Sequence, residues 1–197
     1  VLYERTGAIA TVTLNRPARM NTISHPMLLA LSDALITASR DREVRAIVIT
    51  GAGRAFCAGL DLQDAASEEG VAKGGFELAP ALDLRDFPPV VLHELDKPVI
   101  GAINGGAAGF GLELALGCDI RLCASHAKLA AAFTRRGVMP ETGGTWILPR
   151  LIGWGRAIIL ENNAGFTSAY EQKDWNDVAG GVVRVDVRED ESGCDTV

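Results

Sequence analysis

The chain of 197 residues is 48% hydrophobic and 22% charged, which suits one folded domain with a sizeable core and excludes a largely disordered protein. Its formal charge of -6 offers no general attraction for phosphate backbones or anionic lipid, so nucleic-acid and membrane partners are not expected. No apolar run reaches the roughly 18 residues of a membrane span, and VLYERTG at 1–7 lacks the basic-then-apolar order of a signal peptide, so the chain reads as cytoplasmic.

Residues 8–14 (AIATVTL) alternate small and β-branched side chains and precede the breaker Asn15-Arg16-Pro17, which predicts a strand and a turn. Ser24 is an N-cap candidate for a helix to Arg40, because Met27, Leu28, Leu31, Leu35 and Ala38 recur at helical spacing. Residues 45–50 (RAIVIT) form a near-continuous apolar run before Gly51-Ala52-Gly53 and predict a strand covered on both faces. The Gly-, Glu-, Lys- and Ser-rich stretch 62–82 has weak periodicity and predicts a loop with short helices. A helix over 84–95, a buried strand over 98–103, a turn at Asn104-Gly105-Gly106, a helix over 109–116 and a strand over 119–123 complete the order.

Twice a strand runs into a glycine-rich loop, at 51–59 and at 104–111, and two such loops can aim two backbone N–H groups at one point. The four cysteines, Cys57, Cys118, Cys123 and Cys194, form no CxxC pair and have no histidine at ligand spacing. Neither a metal site nor a disulfide framework is expected. Neither GxxxxGK[ST] nor a GxGxxG after a strand occurs, so no nucleotide loop is indicated.

NRPARMN (15–21), RAFCAGLDL (54–62), KPVIGAINGGAAGFGLELALGCDI (97–120) and RRGVMPETGGTWILPRLIG (135–153) together resemble the crotonase, or enoyl-CoA hydratase/isomerase, superfamily over residues 1–160. The resemblance implies an α/β fold built as a spiral of repeated ββα units. It implies an acyl-CoA thioester substrate, no cofactor beyond the coenzyme A of that substrate, and a homo-oligomer, trimer or hexamer. It places the two oxyanion donors on the backbone N–H groups of Leu60, after Ala58-Gly59, and of Phe110, between Gly109 and Gly111. Arg19 falls where relatives contact the phosphate or ribose of coenzyme A, and Asp61 follows the first donor as it usually does. Relatives carry a glycine at Phe110, so a large ring is expected beside the acyl pocket.

The carboxylates bear on the reaction. Family hydratases hold a water between two glutamates. The first aligns with Glu113, three residues after Phe110, and an idle carboxylate among Leu112, Leu114, Ala115 and Leu116 would be costly. The second aligns with Phe133, which transfers no proton. Glu141 stands where several family isomerases carry the Asp or Glu that moves a proton between C2 and C4. Glu113 and Glu141 are therefore the expected proton-transfer pair, with hydration and double-bond migration both open. Glu141 also suits a helix first turn, whose dipole would keep it ionised.

Past Leu160 the resemblance decays. Residues 161–197 read as a divergent, shortened segment ending in the acidic stretch REDESGCDTV, expected to be disordered. The missing C-terminal helices leave a second reading, a weakly active or inactive relative that serves as a binding or assembly partner.

Overall fold

The computed structural model describes residues 1–65, 87–133, 142–154 and 157, and the backbone of 182–185. Strand β1 (Leu2–Thr6) pairs antiparallel with β2 (Ile9–Leu14), Thr6 opposite Ile9, around the turn Gly7-Ala8. Every side chain of β1 is exposed, so it carries no hydrophobic alternation, and periodicity alone did not predict this strand. In β2, Ala10, Val12 and Leu14 point inward and are fully buried. Helix α1 (His25–Arg40) lays Met27, Leu28, Leu31, Leu35 and Ala38 on the core, as their spacing predicts.

The two ends of α1 are satisfied from a distance. Ser24 is the N-cap residue but makes no side-chain cap bond. The first-turn N–H of His25 donates instead to the Asp64 carboxylate at 2.8 Å. At the other end Lys97 Nζ donates to the carbonyls of Ala38 and Asp41, placing a cation where the helix dipole is negative.

From there the chain repeats one unit. Strand β3 (Ala46–Gly51) is followed by β4 (Ala55–Cys57), the short helix α2 (Leu62–Ala65) and α3 (Pro88–Glu94). Strands β5 (Val99–Ile103) and β6 (Gly106–Ala108) lead into α4 (Phe110–Leu116), and β7 (Ile120–Ala124) and β8 (Leu129–Ala130) precede α5 (Gly144–Ile152). Strand β9 (Val182–Val185) lies beside β7, so the segment beyond residue 160 adds a strand to the sheet. The rest of that segment, the acidic tail, most of the stretch 62–82 and Glu141 lie outside the described residues.

The first strand of each repeat enters a six-stranded sheet of order β1-β2-β3-β5-β7-β9, parallel from β2 onward. The second strand enters a three-stranded parallel sheet of order β4-β6-β8. Both sheets follow chain order, so the repeats stack as the turns of a spiral, the ββα architecture expected above. In β3 only Ile47, Ile49 and Gly51 are buried while Ala46, Val48 and Thr50 are half-buried, so its second face is less covered than the apolar run suggested.

Helix α4 is buried on all sides and joins two apolar clusters. Phe110, Leu114 and Ala115 belong to the main core with β2, β3 and α1. Leu112 and Leu116 pack with Ala131, Phe133, Leu148 and Ile152 in a second cluster against α5.

Two polar residues weld the turn after β2 to the rest. Asn21 is 0% exposed and left-handed at φ 55°, a conformation asparagine tolerates better than most residues. Its Oδ1 accepts from Arg16 N at 2.8 Å, and its Nδ2 donates to the carbonyls of Ala52 at 2.9 Å and Ala55 at 2.7 Å. Asp61 is 3% exposed. Its carboxylate pairs with Arg16 at 2.9 Å and Arg19 at 3.1 Å, and accepts from the N–H groups of Gln63 at 3.1 Å and Asp64 at 3.4 Å. Burial by itself would raise the pKa of Asp61, but Arg16, the Asp64 N–H, Arg19 and the Gln63 N–H outweigh it and hold the carboxyl below the usual carboxylate range.

Asn21→Ala strands three backbone partners, of which the Ala55 carbonyl is buried, and leaves alanine in a left-handed turn. It is expected to lower unfolding free energy by about 3 kcal/mol, read from urea denaturation with unchanged m-value. For Asp61 the folded pKa lies below the unfolded value of about 3.9, so its contribution is fully present above about pH 4 and is lost as pH falls through the folded value. Urea midpoints measured from pH 7 down to pH 3 should fall on the acid side more steeply in the wild type than in Asp61→Asn. Parallel acid limbs would contradict this.

Candidate active site

Strand pairing brings the two glycine turns expected to carry the donors close together. Ile23 N donates to the Gly59 carbonyl at 2.8 Å, and Asp61 N donates to the Ile23 carbonyl at 2.8 Å, the pattern of a parallel bridge between Ile23 and Leu60. Because the C=O and N–H of one trans peptide point in opposite directions and the Gly59 carbonyl faces Ile23, the N–H of Leu60 points to the other side. On that side stands the turn after β6: a Cβ on Gly59 would lie 3.0 Å from the Ala108 carbonyl oxygen and 4.0 Å from the Phe110 nitrogen. Gly59 has φ +105°, so both the space and the dihedral demand glycine.

Phe110 opens α4, so its N–H has no acceptor within the helix and sits at the positive end of the helix axis. The preceding turn is tied to β8, with Ala107 N donating to Lys128 O at 2.9 Å and Gly109 N to Ala130 O at 3.0 Å.

A cavity of about 550 Å³ opens over these two turns. Ala58, Gly59, Leu60 and Asp61 line it from one side and Ala108, Gly109 and Phe110 from the other, so the residues expected to hold the acyl-CoA converge on one space. The expected crowding by Phe110 is relieved by packing. Its ring is 3% exposed and stacks edge-on against Phe87, centroids 6.1 Å apart, within the main core. Phe133 also lines the cavity, presented after Ala132, whose left-handed φ of 57° marks a forced turn.

Arg19 lines the rim with its side chain 45% exposed, its Nη2 on Asp61 and, at 2.8 Å, on Gln63 Oε1. Arg54, Met20, Thr22 and Gln63 line the cavity as well and were not singled out from sequence. Arg54 and Met20 lie inside RAFCAGLDL and NRPARMN, so the motifs held a signal, but no spacing rule pointed to these members.

Glu113 is placed differently from the donors. It is 3% exposed, and its carboxylate accepts from Gly144 N at 3.0 Å and Thr142 N at 3.3 Å, the backbone donors at the start of α5. The fit is close, since a Cβ on Gly144 would stand 2.1 Å from Oε1. Glu113 is not among the residues lining the cavity. Glu141 lies outside the described residues, but it is the covalent neighbour of Thr142, whose N–H meets Glu113.

Burial pushes the thiols of Cys57 and Cys118 up to about 12, where both stay protonated at neutral pH, so neither offers a nucleophile. Among the described residues no group of three His, Cys, Asp or Glu side chains could hold a metal ion, and no helix is long and apolar enough to cross a membrane. Two backbone N–H groups directed at one point of a cavity can stabilise negative charge developing on a carbonyl oxygen, the need of any reaction that passes through an enolate.

Comparison with known proteins agrees with this geometry. A family model described as enoyl-CoA hydratase/isomerase matches residues 4–190. A 1,2-epoxyphenylacetyl-CoA isomerase of Escherichia coli K12 is 42% identical over 174 residues, covering 85% of this chain and 63% of the relative. A probable enoyl-CoA hydratase of Rhodobacter capsulatus is 42% identical over 160 residues, covering 80% of this chain and 59% of the relative. The chain thus spans about three fifths of the length of these two relatives. The crystal structure of an enoyl-CoA hydratase subunit from Geobacillus kaustophilus superposes with a TM-score of 0.77 at 34% identity, covering 93% of this chain and 67% of that one. The ββα spiral, the paired glycine turns and these matches have one reading: the chain belongs to the enoyl-CoA hydratase/isomerase family.

Proposed function

We propose that this chain catalyses enolate chemistry on acyl-CoA thioesters, and that its preferred reaction is migration of a double bond in an enoyl-CoA. The observation that carries the proposal is the approach of the Gly59-Leu60 and Gly109-Phe110 turns, which line one cavity from two sides. In this reading the thioester oxygen sits between the N–H of Leu60 and that of Phe110. A base removes a proton from C2 of a 3-enoyl-CoA, the electron pair moves onto the thioester oxygen as a dienolate, and return of a proton at C4 gives the conjugated 2-enoyl-CoA. Each donor is worth about 3 kcal/mol of barrier. Arg19 and Arg54 at the rim supply the cationic side for the coenzyme's phosphates.

Glu113 and Glu141 are the proton-transfer carboxylates of this proposal on the strength of the family resemblance; Glu113 does not line the cavity, so its carboxylate must turn from the Thr142 and Gly144 N–H groups to reach a substrate. Glu113 is one helical turn from the Phe110 donor, and the Thr142 N–H links it to the peptide that follows Glu141. Migration is preferred over hydration because Phe133, apolar and in the cavity wall, occupies the position aligned with the second hydratase glutamate. Family membership and the intact pair of turns favour an enzyme over a mere assembly partner. The trimeric or hexameric state, the cytoplasmic location and the lack of any cofactor beyond coenzyme A belong to the same reading.

A 3-enoyl-CoA incubated with the protein is expected to gain the absorbance of the conjugated thioester, while crotonyl-CoA keeps its own. Turnover of neither would defeat the proposal, and loss of the crotonyl-CoA chromophore alone would reassign it to hydration. Prior dialysis against a chelator should leave the rate unchanged.

Glu113→Gln and Glu141→Gln are each expected to cut kcat about a hundredfold or more. Glu113→Gln should also lower the melting temperature, because an amide cannot accept from both Thr142 and Gly144 without facing an N–H with its own donors. A Glu141→Gln variant of full activity would remove Glu141 from the mechanism.

A further inference from the structure

The carboxylate that follows the first donor is built into the molecule more firmly than a ligand contact requires. Asp61 is 3% exposed and receives four hydrogen-bonding partners: Arg16 at 2.9 Å, Arg19 at 3.1 Å, Gln63 N at 3.1 Å and Asp64 N at 3.4 Å. Its own N–H donates to Ile23 O, so the residue is gripped through backbone and side chain alike. Leu60, directly before it, contributes no side-chain anchor of this kind. Its N–H direction is fixed by what holds its neighbours, Gly59 through Ile23 N and Asp61 through Ile23 O and the arginine pair.

We propose that Asp61 is a positioning residue for catalysis: its buried carboxylate, shared between Arg16 and Arg19, locks the Leu60 peptide in the orientation that aims its N–H into the cavity. The inference rests on the reading of Leu60 as an oxyanion donor. A hole donor is useful only if it already points where charge will develop, and small misplacements of catalytic geometry cost large factors in rate. The two arginines are not redundant. Arg16 also donates to Thr22 O at 3.0 Å, anchoring Asp61 to the turn after β2, while Arg19 lies on the cavity rim and bonds Gln63 as well. Arg16 therefore keeps Asp61 neutralised when a bound anion draws on Arg19, so occupation of the rim need not disturb the donor.

The test compares the wild type with Asp61→Asn and Arg16→Gln on a 3-enoyl-CoA, together with the thioester carbonyl stretch of a bound, unreactive saturated acyl-CoA. Asp61→Asn is expected to lower kcat at least tenfold with KM changed less than threefold, and to move the carbonyl stretch back toward its value in free acyl-CoA. Arg16→Gln is expected to do the same to a lesser degree, and the double variant to be no worse than Asp61→Asn alone, since both act through one linkage. Should Asp61→Asn fail to fold, Arg16→Gln carries the test. A wild-type carbonyl shift and kcat retained in the variant that folds would overturn the inference, as would a loss confined to KM. A wild type that neither turns over nor shifts the carbonyl would instead defeat the proposed function itself.

Discussion

The chemistry available to this chain hangs on one contact between backbones, the approach of Gly59 to the Ala108 carbonyl at 3.0 Å from where a side chain would begin. Its origin is topological. Strands β4 and β6 are parallel neighbours in the small sheet, so the turns that follow them leave at the same edge. Each repeat of the spiral sends its own turn to that edge, and two successive repeats bring two turns side by side over one cavity. A larger residue at position 59 would push the turns apart, and the cavity would keep its walls while losing the convergence of its donors.

Around this contact the buried polar side chains serve the backbone more than the cavity. Asn21 spans Arg16, Ala52 and Ala55, Asp61 gathers two arginines and the start of α2, and Glu113 binds the start of α5. Each would be costly to bury unpaired, and each is paired with backbone groups that would otherwise be orphans of a turn or a helix end. The result is a set of short loops whose backbone groups are hydrogen-bonded by buried side chains, the kind of support a preorganised site requires.

Much of this was legible in the sequence, in unequal parts. The face of α1 followed from Met27, Leu28, Leu31, Leu35 and Ala38, and the strands β2, β3 and β5 from apolar runs ended by glycine or asparagine turns. The two glycine-rich loops at 51–59 and 104–111 were visible in the sequence, and the family resemblance of RAFCAGLDL and KPVIGAINGGAAGFGLELALGCDI placed the expected donors there. The strands of the small sheet were implied only by the family resemblance and not by residue patterning, because Ala55–Cys57, Gly106–Ala108 and Leu129–Ala130 are two or three residues each and too short for any period to show. Ser24 was rightly placed at the start of α1, but the acceptor there is Asp64, some forty residues on, which no local rule can foresee. The fate of the Phe110 ring was likewise hidden: a bulky residue at a donor position suggests obstruction, and only the edge-on contact with Phe87 shows where the ring goes.

The packing also separates the two halves of the site. The donors rest on the main core, through Phe56, Cys57, Ala107 and Phe110 with Leu60 against them. The cavity wall at Phe133 and the helix α5, whose start Glu113 binds, rest on the second cluster of Leu112, Leu116, Ala131, Leu148 and Ile152. Helix α4 belongs to both, carrying a donor at its first residue and a carboxylate one turn later. Side chains in the second cluster can therefore change, as Phe133 shows beside the hydratase pattern, without moving the donors seated in the first. A backbone N–H is indifferent to the side chain that carries it, so the hole accepts phenylalanine at position 110 provided the ring finds room in the core. In the proposed reading the two turns that would stabilise an enolate are seated in the main core, while the residues that would direct its collapse lie around α4 and α5 on the second cluster.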